Sequence, residues 1–156
     1  TLDLMQWFAG GVTRVKGVVD RGELANVTEG EDSAMATLHF ANGARGLFYA
    51  SNCNTADSPL WLEIHCERGS LLLSDNVLWR ITPGERLRLA SDNTPDGLVK
   101  SYWGLGHEQA IRRFYHAISH PGNANYTDIR ESGKSLTLVE AIYRSSQLRQ
   151  WIELNK

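Results

Sequence analysis

Cysteine is scarce in this chain, with Cys53 and Cys66 the only two. A small secreted fold held by disulfides needs several pairs, so that class is excluded. The plain reading is two reduced, half-buried thiols in a cytoplasmic protein. A basic excess is lacking too: 16 Lys and Arg face 18 Asp and Glu, the net charge is −2, and the signs are interspersed. Nucleic acids and anionic membranes recruit concentrated basic fields, so neither is an expected partner. Apolar runs end after a few residues, far short of the roughly 20 that a membrane helix needs. No stretch has the charged-then-apolar layout of a signal peptide, and there are no internal repeats or low-complexity tracts.

What remains is an ordinary globular composition. The chain has 156 residues, 42% hydrophobic and 22% charged, enough for one domain with a substantial core. Its opening, from Thr1 to Gly11, reads as the last turns of an amphipathic helix. Leu4, Phe8 and Met5 share a face, and Gly10-Gly11 supplies the stop. No loop or capping residue precedes these turns, so the chain is expected to be a fragment of a longer protein.

Val12 to Val19 then reads as a strand, and the polar stretch Asp20 to Asp32 as a loop. From Ala34 the pattern alternates: Ala36, Leu38 and Phe40 on one face, Met35, Thr37 and His39 on the other. Asn42-Gly43 follows, and Arg45 to Asn52 alternates again, which predicts a β-hairpin with a tight turn. A second hairpin is expected from Leu60–Cys66 through Gly69 into Leu73, and a third from Val77–Thr82 through Pro83-Gly84 into Leu89. Short turns force antiparallel pairing.

The last third changes period. Ile111, Phe114, Tyr115 and Ile118 recur at helical spacing between His107 and Ser119, and His120-Pro121-Gly122 ends the run. A longer helix is expected from Thr127-Asp128 to about Leu148, with Trp151–Leu154 as a closing strand. Strands first and helices last predict an α+β fold: an open, mainly antiparallel β-sheet with helices packed on one face. If Leu60, Leu62 and Ile64 point to the helices, then Trp61 and His65 point away, as Trp79 and Ile81 oppose Leu78 and Arg80. A free face bearing aromatics is a partner surface unless loops cover it.

Few constellations suggest chemistry. His116 and His120 share a helical face, but the cysteines are 13 positions apart and form no local zinc pair, so no metal is expected. Gly104-Leu105-Gly106 lacks the third glycine of a dinucleotide loop, since Gln109 stands there. No Ser or Cys sits in a glycine elbow. Cys53 at a strand end is the least unsuitable nucleophile, and more simply a packed thiol. The adjacent aromatics Tyr102 and Trp103 suit the wall of a pocket that stacks on a sugar ring, or equally an anchor of their loop to the core. They are the candidate substrate-binding residues, together with Asn52.

The opening TLDLMQWFAGG, the hairpin segment FANGARG, the turn ERGSL, and the late segments GHEQAIRRFYHAI and AIYRSS occur in a telling order. Together they resemble, over essentially the whole chain, the C-terminal domain of the glucose–fructose oxidoreductase, inositol dehydrogenase and rhizopine-catabolism (Gfo/Idh/MocA) family. The resemblance implies a parent with an N-terminal Rossmann domain binding NAD or NADP. It implies that residues 1–156 form the substrate and oligomerisation domain, with no cofactor site of their own. The free sheet face would join the chain to itself as a homodimer or tetramer.

The family's catalytic His stands ahead of a Leu-Asp or Ile-Asp pair, which Asp3 matches, so the His would lie just before Thr1. No catalytic residue is therefore expected within this chain. Asp3 would help hold the active-site helix, or be a solvated or helix-end acceptor. The parent would be an oxidoreductase acting on a sugar, polyol or related hydroxy compound. The alternative is a non-enzymatic assembly module whose parent has lost dehydrogenase activity.

Overall fold

The structure is a computed structural model and describes residues 1–54, 60–91, 106–123, 126 and 129–154. The fold is α+β and open, with every strand pairing antiparallel. The strands divide between two four-stranded sheets, each in its own compact unit. The first unit comprises Thr1–Thr55 and Thr127–Lys156, the second Ala56–Tyr126.

In the first unit, α1 (Leu2–Ala9) leads into β1 (Val12–Asp20), followed by β2 (Ser33–Phe40) and β3 (Arg45–Ser51). Helix α3 (Ile129–Leu148) and the short β8 (Ile152–Glu153) close the unit, giving the sheet order β3-β2-β1-β8. The period-2 pattern of β2 lies as its sequence predicts: Ala36, Leu38 and Phe40 are buried. They form one core with Val15, Leu2, Leu138, Ala141, Ile142 and Ile152, so α1 and α3 cover a single face of the sheet.

Helix α1 departs from its expected stripe. Leu2, Met5 and Ala9 turn to the core, whereas Phe8 is half exposed and makes an edge contact with exposed Trp7. Spacings of three and seven fit a helical face as well as Leu4 and Phe8 do. The neighbours decide: Met5 fills the space above Gly46 left by its missing side chain. Gly10, at φ 82, ends the helix.

The β2–β3 connection also differs from a two-residue turn. Phe40 N–H bonds to Ala44 O at 3.0 Å, and only Gly43 takes a positive φ, of 88°. Asn42 instead accepts the Ala44 N–H on its side-chain Oδ1 at 2.9 Å. The longer loop needs one left-handed residue, and the glycine provides it.

The join between α3 and β1 is polar. Strand β8 pairs only with Arg14 and Val15, so the outer edge of β1 beyond them has no strand partner. Two adjacent serines of α3 fill that role. Gly17 N–H donates to Ser145 Oγ and Val19 N–H to Ser146 Oγ, each at 3.0 Å. Ser145 Oγ–H then donates to Gln150 O at 2.6 Å, just past the end of α3, where Arg149 adopts a left-handed φ of 54°. Gly17 permits this approach, because a Cβ there would meet Ile142 Cγ2 at 2.8 Å.

The second unit is a meander of β4 (Leu62–Cys66), β5 (Gly69–Ser74), β6 (Val77–Thr82) and β7 (Glu85–Ser91), with α2 (Gly106–Ser119) further along. The two-residue turn expected at Asn42-Gly43 occurs here instead: Asp75 and Asn76 both take positive φ, 54° and 59°. Leu62 is buried and Trp61 is 61% exposed, as their alternation predicts, whereas Leu60, ahead of the strand, is exposed rather than turned inward. The stripe Ile111, Phe114, Tyr115 and Ile118 forms as a helical face and is exposed.

Replacing Ser145 by Ala leaves a buried backbone N–H unpaired. It should cost about 2 kcal/mol, or roughly 4–8 °C in thermal midpoint. Gly17→Ala should cost a similar amount by overpacking against Ile142. Calorimetry of the two variants checks both values.

Candidate functional site

Asp3 sits in the first turn of α1 with its carboxylate exposed to solvent on one side. Its Oδ1 accepts a hydrogen bond from Ser135 Oγ–H of α3 at 3.1 Å. Ser135 Oγ in turn accepts from Gln6 Nε2–H at 3.3 Å. The relay Gln6, Ser135, Asp3 fastens the start of α1 to the first half of α3. Asp3 thus stands at the contact between the first turn of α1 and α3. Among the described residues no imidazole or amine bonds to it.

Asn52 stands on different elements. It follows β3, its side chain is exposed, and its N–H donates to Asp32 O at 2.8 Å. Among the described residues no hydrogen bond joins it to Asp3. Tyr102 and Trp103, the other substrate-binding candidates, lie outside the described residues.

The residue that organises the surroundings of Asn52 is Asp32, which is 3% exposed. Its Oδ2 accepts the N–H groups of Gly22 and Leu24, both at 2.9 Å, and its own N–H donates to Asp20 O at 3.0 Å. One carboxylate thus closes the 20–32 loop against the sheet. The Leu24 N–H bond, supported by Ser33 and the Gly22 and Glu23 amides, holds its pKa below the ordinary 3.8 against the opposing effect of burial. Beside it, Tyr143 O–H of α3 donates to Glu31, which lowers the Glu31 pKa and raises that of Tyr143. Within an acidic run that reads as a solvated loop, nothing local separates Asp32 from Glu29 or Glu31. What distinguishes it is its place directly before β2, where loop amides converge.

The thiols differ from each other. Cys53 is half-buried, with its N–H on Ser51 Oγ at 3.0 Å, whereas Cys66 is exposed. Cys66 ends β4 immediately before a turn. His116 and His120 stack with ring centroids 4.3 Å apart, and His120 Nδ1 bonds to His116 O at 3.1 Å, which is helix-end capping. No group of three or more metal-ligating side chains occurs among the described residues. Of Gly104-Leu105-Gly106 only Gly106 is described, and it opens α2. On the second sheet, Trp79 carries Arg86 over its ring at 4.2 Å, and His65 bonds to Ser70 Oγ at 2.8 Å. No helix among the described residues is long and apolar enough to cross a membrane.

The first unit is an open antiparallel sheet covered on one face by helices. Residues 1–154 match the model of the oxidoreductase family C-terminal alpha/beta domain, and the chain belongs to the Gfo/Idh/MocA family. No curated protein matches it.

Solved structures share its fold. An oxidoreductase from Agrobacterium radiobacter, in complex with NAD+, L-tartaric acid and magnesium, is 21% identical with a TM-score of 0.75, covering 97% of this chain and 46% of its own. Aldose–aldose oxidoreductase from Caulobacter crescentus, complexed with glycerol, is 16% identical with a TM-score of 0.73, covering 98% and 44%. Levoglucosan dehydrogenase, in complex with NADH and levoglucosan, is 17% identical with a TM-score of 0.77, covering 99% and 48%. The chain therefore spans under half the length of each of these structures.

The Asp32 carboxyl is bound more tightly when ionised, so its folded pKa lies below the unfolded one. Its stabilisation is complete above the unfolded pKa and is lost as pH falls through the folded value. Asp32→Asn should lower stability at neutral pH and flatten the acid limb below about pH 5. Denaturant midpoints measured from pH 7 down to pH 3 check both effects.

Proposed function

We propose that this chain is the C-terminal half of a cytoplasmic NAD- or NADP-dependent oxidoreductase acting on a sugar, polyol or related hydroxy compound. The observation that carries this reading is the family match over residues 1–154. Structures of like fold, crystallised with NAD+ or NADH and with small polyhydroxy molecules, support it as analogy.

The dinucleotide does not fit the described residues. Its seat is a parallel strand–helix–strand unit with a glycine-rich turn, and all pairings here are antiparallel. The cofactor belongs to another part of the parent, and this chain alone is inactive. Its contribution is positional: Asp3, held by Ser135, sets the start of α1, where the resemblance puts the catalytic His just before Thr1. Asn52, and by their sequence Tyr102 and Trp103, are each candidates to contact substrate in the parent.

The uncovered face of the first sheet joins subunits into a homodimer or tetramer. Val18, Met35, Leu47 and Tyr49 stand on it at 56%, 55%, 84% and 65% exposure. They are cross-strand neighbours, with Val18 opposite Met35 and Met35 opposite Tyr49, so the exposure is contiguous. This patch also favours a second reading, a non-enzymatic assembly module, because it needs no catalytic group.

Two measurements separate the readings. The gene extended upstream, expressed and assayed with a panel of sugars and polyols, should reduce NAD+ or NADP+. Ser135→Ala in that protein should lower kcat about tenfold or more while cofactor affinity is unchanged. No turnover, with association intact, would leave the assembly module. Sedimentation of the 156-residue chain should show dimers or tetramers that Leu47→Lys disperses. A wild-type chain that stays monomeric at high concentration overturns the subunit role.

A further inference from the structure

The uncovered face of the first sheet changes character at the end nearest the β2–β3 loop. Arg14 on β1 lies opposite His39 on β2, and His39 lies opposite Arg45 on β3. A register shift at Thr13 precedes this row, and the displaced Thr13 hydroxyl donates to His39 O at 3.1 Å. Bulges of this kind re-aim the next side chain.

Arg14 is held in place. Its guanidinium carbon lies 4.6 Å from the centroid of the Trp151 ring, and its Nε–H donates to His39 Nδ1 at 3.4 Å. The same indole meets the His39 ring edge-on at 4.9 Å. Stacking fixes the guanidinium plane and leaves its outer N–H groups available. Because Nδ1 accepts, the proton of the neutral imidazole is on Nε2, a further donor.

Each residue of the row has an N–H to offer a ligand. Among the described residues neither Arg14 nor Arg45 has an ion-pair partner. Burial, then Arg14 and Arg45, hold the His39 pKa below its ordinary value, while Glu153 acts the other way. Glu153 lies opposite Arg14 across β1–β8, and Lys16 is the next residue of β1 on the same face. Arg14 and Arg45 are two strand spacings apart, about 9.5 Å between backbones. Two arginine side chains are long enough to reach one tetrahedral or planar anion across that distance.

We propose that Arg14, His39 and Arg45 form a binding site for a small oxyanion of the phosphate or carboxylate class, with the guanidiniums on either side and the imidazole N–H between them. The site lies beyond the proposed reaction and does not depend on it. It is at the rim of the apolar patch, two residues along β1 and β2 from Lys16 and Thr37.

Inorganic phosphate is the probe, titrated into the 156-residue chain at fixed ionic strength with chloride as the balancing salt. The His39 ring is followed by NMR. Phosphate should saturate a shift of the ring signals and move the His39 titration midpoint upward, since an anion favours the charged imidazole. Arg45→Gln, at an exposed position, should keep the fold and weaken phosphate about tenfold or more, and Arg14→Gln likewise. Glu153→Gln should tighten it.

A response no different from chloride overturns the site, and so does an Arg45→Gln chain that binds like the wild type. The titration is run at two protein concentrations. A phosphate response confined to the higher one assigns the row to contact between copies and likewise overturns the proposal.

Discussion

The first unit is organised around the way α3 completes the edge of β1. A sheet edge presents amide groups that must find partners when buried. Strand β8 is too short to cover the whole of β1, and the hydroxyls of Ser145 and Ser146 take the N–H groups of Gly17 and Val19 that remain. This fixes α3 in register along the strand as well as against its face. Ser145 is fully buried, so its bond to Gly17 and its bond to Gln150 O are not exchangeable for water. Buried polar contacts of this sort are costly to leave half made, which is why they specify one arrangement where an apolar contact would tolerate several.

From that register the rest of the unit follows. The polar relay from Gln6 through Ser135 to Asp3 ties α1 to α3, about three turns before the serine contacts on the same helix. Between these ends, Leu138, Ala141 and Ile142 fill the space above Val15, Ala36 and Leu38. At the other end of the sheet, Asp32 gathers amides of the 20–32 loop and receives Asn52 through its carbonyl. Asp3 and Asn52 are thus placed by two separate polar anchors on one apolar core. Each anchor can be removed without emptying the core, so positional and stability effects are separable in this unit.

Much of this architecture was legible from periodicity. Strands β2 and β3 alternate cleanly because one face is packed and the other is not, and α3 shows its buried positions at helical spacing. The segment AIYRSS, which contributes to the family resemblance, acquires a physical reason: its two serines are the edge partners of β1, and its Ala and Ile are core. The misreadings arise where two patterns fit equally. Leu4 with Met5 and Phe8, and Leu2 with Met5 and Ala9, are both helical stripes, and the packing of Leu2 and Ala9 on the core with Met5 over Gly46 selects the second. Asn42-Gly43 and Asp75-Asn76 are both turn dipeptides, yet the loop length set by strand register gives the two-residue form to the second. Asp32 was invisible for a different reason. Its importance comes from amides at positions 22 and 24, which a reading along the chain does not bring to it.

The open face of the first sheet carries two unlike surfaces on one plane, and the alternation of side chains explains how. On β1, β2 and β3 the residues facing away from the helices are Arg14, Lys16 and Val18, then Met35, Thr37 and His39, then Arg45, Leu47 and Tyr49. Antiparallel register sets Val18, Met35 and Tyr49 in one cross-strand row, and Arg14, His39 and Arg45 in another. The apolar row gains by excluding water, whereas adjacent cationic groups repel and gain by staying wet or meeting an anion. A partner that covers the first row without neutralising the second leaves the arginines at its margin. The mixed row Lys16, Thr37 and Leu47 lies between these two rows and keeps the apolar and the basic surfaces apart at opposite ends of one face.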